Sequence, residues 1–128
     1  MKLDITKYIQ IPYKDRGRDE QGVDCYGLVR LFYQNEYGID LPELNYYSAE
    51  LDNRQLIDAS KPTLKAEEVL DPEQGDIVLI ALGMDPSHVG IYLDGGFVLH
   101  TSAHYGTCCE RIDGWRLRNR IRGIYRVR

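Results

Sequence analysis

The spacing of apolar positions changes partway along the chain. Cys25, Leu28, Val29 and Phe32 recur at i, i+3, i+4 and i+7, the interval of one buried helical stripe. Asp24 stands before this stripe as a good N-cap and Gly38 after it as a natural terminator, so the pattern predicts a helix over 25–37. A shorter helix is expected over 3–10, with Leu3, Lys7 and Tyr8 along one side. Ile11-Pro12-Tyr13 ends it, because a residue before proline avoids helical angles. A polar, glycine-bearing loop follows over 14–24. Residues 48–58, capped by Ser48, read as a further helix, and 64–70 as one more turn before Asp71-Pro72.

From Gly75 onward the period is that of strands. Ile77-Val78-Leu79-Ile80 is a continuous β-prone run, the mark of a strand buried on both faces. Residues 88–93 and 97–101 flank Asp94-Gly95-Gly96, a hairpin signal, and further strands are expected at 106–111 and 121–127. Helices first and an antiparallel sheet afterwards is an α+β order. At 128 residues the chain is most simply one domain spanning 1–128, with no repeat, low-complexity tract or linker.

The hairpin's register follows from its side chains. A three-residue loop at 94–96, with Gly96 left-handed, sets Leu93 against Phe97, Ile91 against Leu99 and Val89 against Thr101 on one face. The other face receives His88, Gly90, Tyr92, Val98 and His100. His100 then lies opposite Gly90, with His88 its diagonal neighbour at roughly 7–8 Å by backbone. A two-residue loop would separate the histidines and expose the apolar set.

This register brings chemistry into view. A free cysteine more often packs as a small hydrophobe, and two histidines on a sheet face are often polar surface. Together, a thiol in a first helical turn, where the helix dipole favours thiolate, and paired imidazoles suit nucleophilic acyl transfer. Cys25 is then the nucleophile and His88 the base, with His100 accepting a hydrogen bond from the second ring nitrogen of His88. The backbone N–H of Cys25 and a nearby side-chain donor would face the oxyanion.

Composition narrows the class. At 43% hydrophobic and 28% charged the chain reads as globular, and its longest apolar run, 77–82, is too short to span a bilayer. No membrane insertion is expected. The first residues lack the apolar block of a secretory signal, which predicts synthesis in the cytoplasm without a cleaved leader. Three cysteines, two of them adjacent, do not make a disulfide framework, and Cys108 and Cys109 are read as reduced structural thiols. His100, His104 and Cys108 fall at four-residue intervals that would suit a metal-binding helix, but Gly95, Gly96 and Gly106 argue for strand and turn. No metal or cofactor is expected. Residues 111–128 carry seven arginines against one acid, Asp113, within a chain of net charge −4. Interleaved with Trp115, Ile121, Ile124 and Tyr125, this segment suits docking on the protein's own acidic body or on a partner better than nucleic acid.

Asp24-Cys25-Tyr26-Gly27-Leu28-Val29, Gly75-Asp76-Ile77-Val78, His88-Val89-Gly90-Ile91-Tyr92 and Phe97-Val98-Leu99-His100 resemble the NlpC family of cell-wall cysteine peptidases. The resemblance runs from about Ile11 to Glu110. It implies a papain-like α+β fold, N-terminal helices packed on a central antiparallel sheet, and a Cys25–His88–His100 triad. It also implies that Tyr13, of the Pro12-Tyr13 pair, assists the oxyanion site, and that Asp24 lines the substrate groove. Tyr26 replaces the usual small residue after the nucleophile, and Ser87, beside the base, is a further substrate-binding candidate. The bulky Tyr26, the segment 38–42 and the Trp115 tail look like the subgroup found in bacteriophage tail proteins.

The expected activity is thus a cysteine endopeptidase cutting amide bonds of peptidoglycan stem peptides, such as γ-D-glutamyl–diaminopimelate. Its setting would be a phage tail or prophage-derived apparatus acting at the bacterial cell wall, with tail-tip proteins as partners. Two alternatives stand: a structural tail-tip or assembly protein with a silent site, and an amidase or acyltransferase on the same fold.

Overall fold

Two periodicities fold into two layers. The computed structural model describes residues 3–42, 66–82 and 85–127. Helix α1 (Thr6–Ile9) is a single turn, shorter than the 3–10 expected. Within the loop over 14–24, two-residue strands β1 (Arg18–Asp19) and β2 (Gly22–Val23) pair antiparallel. Helix α2 (Cys25–Tyr37) has the predicted bounds. Gly38 ends it at φ 66°, a left-handed conformation that glycine adopts without Cβ strain.

Six strands follow: β3 (Ala66–Glu68), β4 (Ile77–Leu82), β5 (Asp85–Leu93), β6 (Phe97–Ser102), β7 (Gly106–Arg111) and β8 (Ile121–Val127). Among the described residues they form one sheet of order β3-β8-β4-β5-β6-β7 with every neighbouring pair antiparallel. The extra turn expected over 64–70 is corrected over its described part: Ala66–Glu68 is an edge strand pairing with β8. The open hydrogen-bonding edge of β8 outweighs the helical leaning of a short acidic run, and Glu67 and Glu68 stand exposed on the new edge. The helix expected over 48–58 lies outside the described residues.

The period of two in the strands gives each face its own core. Leu28, Val29 and Phe32 of α2 pack with Ile77, Leu79, Val89, Ile91 and Leu99 on one face. Each such side chain, fully buried, contributes about 1.5–3 kcal/mol. Val78, Ile80 and Val98 face the other way, under Leu117, with Ile112, Ile121 and Ile124 beside them. The hairpin joins β5 to β6 as predicted, with Leu93 opposite Phe97 and Ile91 opposite Leu99, although both Gly95 (φ 95°) and Gly96 (φ 89°) take positive φ. This antiparallel sheet with helices packed on it is an α+β, papain-like fold.

The arginine-rich segment docks on the rest of the protein through two of its arginines, Arg116 and Arg126. Arg126 grips the buried carboxylate of Asp76 through Nε and Nη2, at 3.0 and 2.9 Å, tying β8 to the head of β4. Arg116 pairs with Glu110 at 2.9 Å and Arg111 with Asp113 at 2.9 Å. No helix among the described residues is long and apolar enough to cross a membrane.

Candidate active site

The mouth of α2 is built by one carboxylate. Asp24 is extended (φ −94°, ψ −173°), so its side chain turns back over the first helical turn. Its Oδ1 accepts from the Gly27 N–H at 2.7 Å and from Arg18 Nη1 at 2.8 Å, and its Oδ2 accepts from the Arg16 N–H at 3.0 Å. Gly27 is required for a steric reason. A Cβ there would sit 2.1 Å from the Gly17 carbonyl oxygen, so the loop can lie against the helix only if residue 27 has no side chain. Cys25 is the first residue of this helix and is 9% exposed. Tyr13, half-buried, bridges in parallel to Val23, two residues before the thiol.

Across the sheet, β5, β6 and β7 align a second group. His88 Nε2 lies 2.9 Å from His100 Nδ1, and His100 Nε2 lies 2.6 Å from Glu110 Oε2. The ladder explains why they meet. Val98 is opposite Glu110 and His100 opposite Cys108, so His100, Cys108 and Glu110 share one face. A Cβ on Gly90 would come within 3.0 Å of His100 Cβ, so the bare glycine leaves room for the ring. Glu110 in turn accepts from Arg116 Nε at 2.9 Å, and the Arg116 guanidinium stacks 4.0 Å over the Tyr105 ring.

This chain of contacts fixes the tautomers. A carboxylate only accepts, so the ring proton of His100 sits on Nε2, facing Glu110. Burial holds His100 below its ordinary pKa, against the pull of Glu110, so its Nδ1 is bare and accepts. His88 must then donate from Nε2, which leaves its Nδ1 lone pair for another partner. Burial, helped by the neighbouring His100, pushes the His88 pKa down to about 3. At neutral pH His88 is therefore an uncharged base. Cys108, beside His100 Nε2 at 3.7 Å, has its thiol pushed up to about 11 by burial and by Glu110.

The structure brings His88 and His100 together and sets Cys25 at the start of the helix that packs on β5. Two residues expected at the substrate are used otherwise. Tyr26 is 1% exposed, and its hydroxyl donates to the Pro42 carbonyl at 2.7 Å, so its ring is part of the core. Asp24 is 3% exposed, with both oxygens holding the helix mouth, which makes it a positioning residue. Ser87 lies on β5, and its side chain falls outside the described residues. His104 is exposed in the β6–β7 turn. Glu110 was not anticipated from the sequence. The hairpin reasoning applied at 94–96 would also have found it at 103–105, since Gly106 closes that turn at φ 68° opposite Ser102.

An α+β sheet carrying a helix-start cysteine and a paired-histidine ladder defines a papain-like class. A family model described as the NlpC/P60 family matches residues 10–126, and the chain belongs to that family. It is 28% identical over 96 residues to the murein DD-endopeptidase MepS/murein LD-carboxypeptidase of Escherichia coli K12. That match takes in 75% of this chain and 45% of the relative, so the chain spans about half the length of the curated relatives it matches. Among solved structures it is similar to the NlpC/p60 domain of the peptidoglycan hydrolase SagA. There the TM-score is 0.60 at 21% identity, covering 94% of this chain and 90% of that one. It is also similar to an NLP/P60-family lipoprotein-like protein of Staphylococcus aureus Mu50, with a TM-score of 0.65 at 23% identity, covering 94% and 38%.

Proposed function

We propose that this chain is a cysteine endopeptidase that hydrolyses an amide bond in peptidoglycan stem peptides, the γ-D-glutamyl–diaminopimelate bond being the family's characteristic one. The observation that carries this reading is the Glu110–His100–His88 ladder, which presents a neutral base with one nitrogen open. The names of the similar proteins, a murein endopeptidase and a peptidoglycan hydrolase, supply the substrate class.

In this mechanism Cys25 Sγ attacks the amide carbonyl while its proton passes to His88 Nδ1. The imidazolium so formed is held by its Nε2–H bond to His100, whose ring Glu110 polarises. His88 then protonates the leaving amine, releasing the first product. Water, deprotonated by His88, cleaves the thioester and restores the thiol. The Cys25 N–H, in the first helical turn where backbone donors lack intrahelical partners, and the Tyr13 hydroxyl hold the oxyanion.

For the setting, our reading is a phage tail or prophage-derived apparatus acting at the cell wall. It is supported by the bulky Tyr26 after the nucleophile and by Trp115, 82% exposed on the arginine-rich tail. Recovery of the protein with tail particles from an induced lysogen supports that setting, and its absence from them refutes it. The activity is tested by incubating purified peptidoglycan with the protein and weighing the fragments. Cleavage by the wild type and none by Cys25→Ala is expected; identical fragments from both would overturn the enzymatic reading.

A further inference from the structure

The face of the sheet behind His100 holds one donor that the mechanism leaves unused, the Cys108 thiol, beside His100 and Glu110. Among the described residues, His100, Cys108 and Glu110 are the one group of three whose nitrogen, sulfur and oxygen atoms all lie within 4.8 Å of one another. The separations are 3.7 Å from Cys108 Sγ to His100 Nε2, 3.8 Å from Sγ to Glu110 Oε2, and 2.6 Å from Nε2 to Oε2. A tetrahedral zinc ion with ordinary bond lengths spaces its donors about 3.3–3.6 Å apart. The trio matches that on two edges, and the third opens by less than about 1 Å when an ion replaces the hydrogen bond. His100 is buried, Cys108 and Glu110 are half-buried, and solvent therefore reaches the thiol side. The three come from adjacent strands locked in register, so the donors are held by the sheet and not by a loop.

We infer that His100, Cys108 and Glu110 form an inhibitory site for a thiophilic divalent cation of the zinc class, completed by water. One imidazole, one thiolate and one carboxylate is a donor set that suits zinc or cobalt and disfavours magnesium or calcium. Entry of the ion releases one proton, from Cys108, and the two anionic ligands balance the dication while Arg116 stays on the other oxygen of Glu110.

The consequence runs through the ring protons. A neutral imidazole bound through Nε2 carries its proton on Nδ1, so His100 changes from acceptor to donor toward His88 Nε2. His88 must then accept at Nε2 and carry its own proton on Nδ1. Each ring keeps one proton, but the lone pair meant for the Cys25 thiol is gone. The cation thus switches off the base from the far side of the ladder, without touching the nucleophile. This last step rests on the proposed role of Cys25 and His88; the binding step does not.

The test separates the two. Cobalt(II) is titrated into the Cys25→Ala protein, followed by its thiolate charge-transfer absorption. One equivalent is expected to bind with that band, and Cys25→Ala/Cys108→Ala is expected to lose the band and at least about tenfold in affinity. No band, or a band that survives loss of Cys108, overturns the site. Imidazole nitrogen NMR of Cys25→Ala with Zn2+ is expected to show both rings passing from the Nε2–H to the Nδ1–H form. In the otherwise intact protein, Zn2+ is expected to slow alkylation of Cys25 to the rate of His88→Ala, while Cys108→Ala, which retains full basal reactivity, is unaffected. Equal slowing in Cys108→Ala would put the metal on Cys25 itself and overturn the switch. Circular dichroism of each variant confirms that the sheet is intact.

Discussion

The helix mouth and the histidine ladder solve the same problem with different means. At the mouth, one carboxylate gathers donors that lie close in sequence: the N–H groups of Arg16 and Gly27 and the guanidinium of Arg18 all converge on Asp24. In the ladder, one carboxylate is reached across three strands, and its hold on His88 passes through a second ring. The mouth is rigid because it is local. The ladder is adjustable because its two neutral rings can each carry the proton on either nitrogen, so one contact behind His100 resets the base in front.

The comparison is broken most severely at the base. His88→Ala is expected to lower turnover of peptidoglycan fragments by about 10²–10⁴-fold with the fold intact, measured by steady-state kinetics and circular dichroism. At the mouth, Gly27→Ala forces a Cβ into the Gly17 carbonyl at 2.1 Å and is expected to cost about 3 kcal/mol in urea unfolding. A loss below about 1 kcal/mol would mean that the loop over 14–24 yields easily and is not the rigid element described.

The buried His88 also ties stability to pH. Its pKa falls from 6.5 unfolded to about 3 folded, so the unfolded chain binds the extra proton. The resulting stability is present in full above pH 6.5 and is lost as pH falls toward 3. Between pH 6.5 and about 4.5 the loss should be roughly 2–3 kcal/mol, and His88→Gln should flatten that slope. On the ladder side His88 meets His100, which is itself in contact with Glu110 and Cys108, and Glu110 in turn holds Arg116. Smaller again is the effect of Glu110. Glu110→Leu is expected to reduce kcat about tenfold with KM unchanged, one lost orienting hydrogen bond, while Glu110→Gln, whose amide oxygen still accepts from His100, recovers most of it. Equal loss in both would mean that charge, and not the tautomer, is what Glu110 supplies.

How far each region was legible follows from the same contrast. Asp24 and Gly38 bound α2 correctly because caps act within one turn, and the 94–96 loop fixed the histidine register because its glycines and apolar pairs permit one pairing. Glu110 escaped because its partner is set by the next turn, whose residues Ala103, His104 and Tyr105 include no glycine, proline, Asn, Asp or Ser to signal it and were read without a register. The groove role expected for Asp24 came from the family resemblance and that of Tyr26 from its place after Cys25, whereas burial and the capping geometry direct both side chains inward. Strand β3 escaped because its reason to be a strand, the open edge of β8, lies far along the chain.

The central claim is that Glu110 fixes the ring protons so that His88 offers a bare Nδ1. Imidazole nitrogen NMR of the metal-free protein at neutral pH reads this directly. Both rings are expected in the Nε2–H form, with His88 converting to a mixture of forms in Glu110→Leu. A His88 that carries its proton on Nδ1 in the wild-type protein would contradict the account.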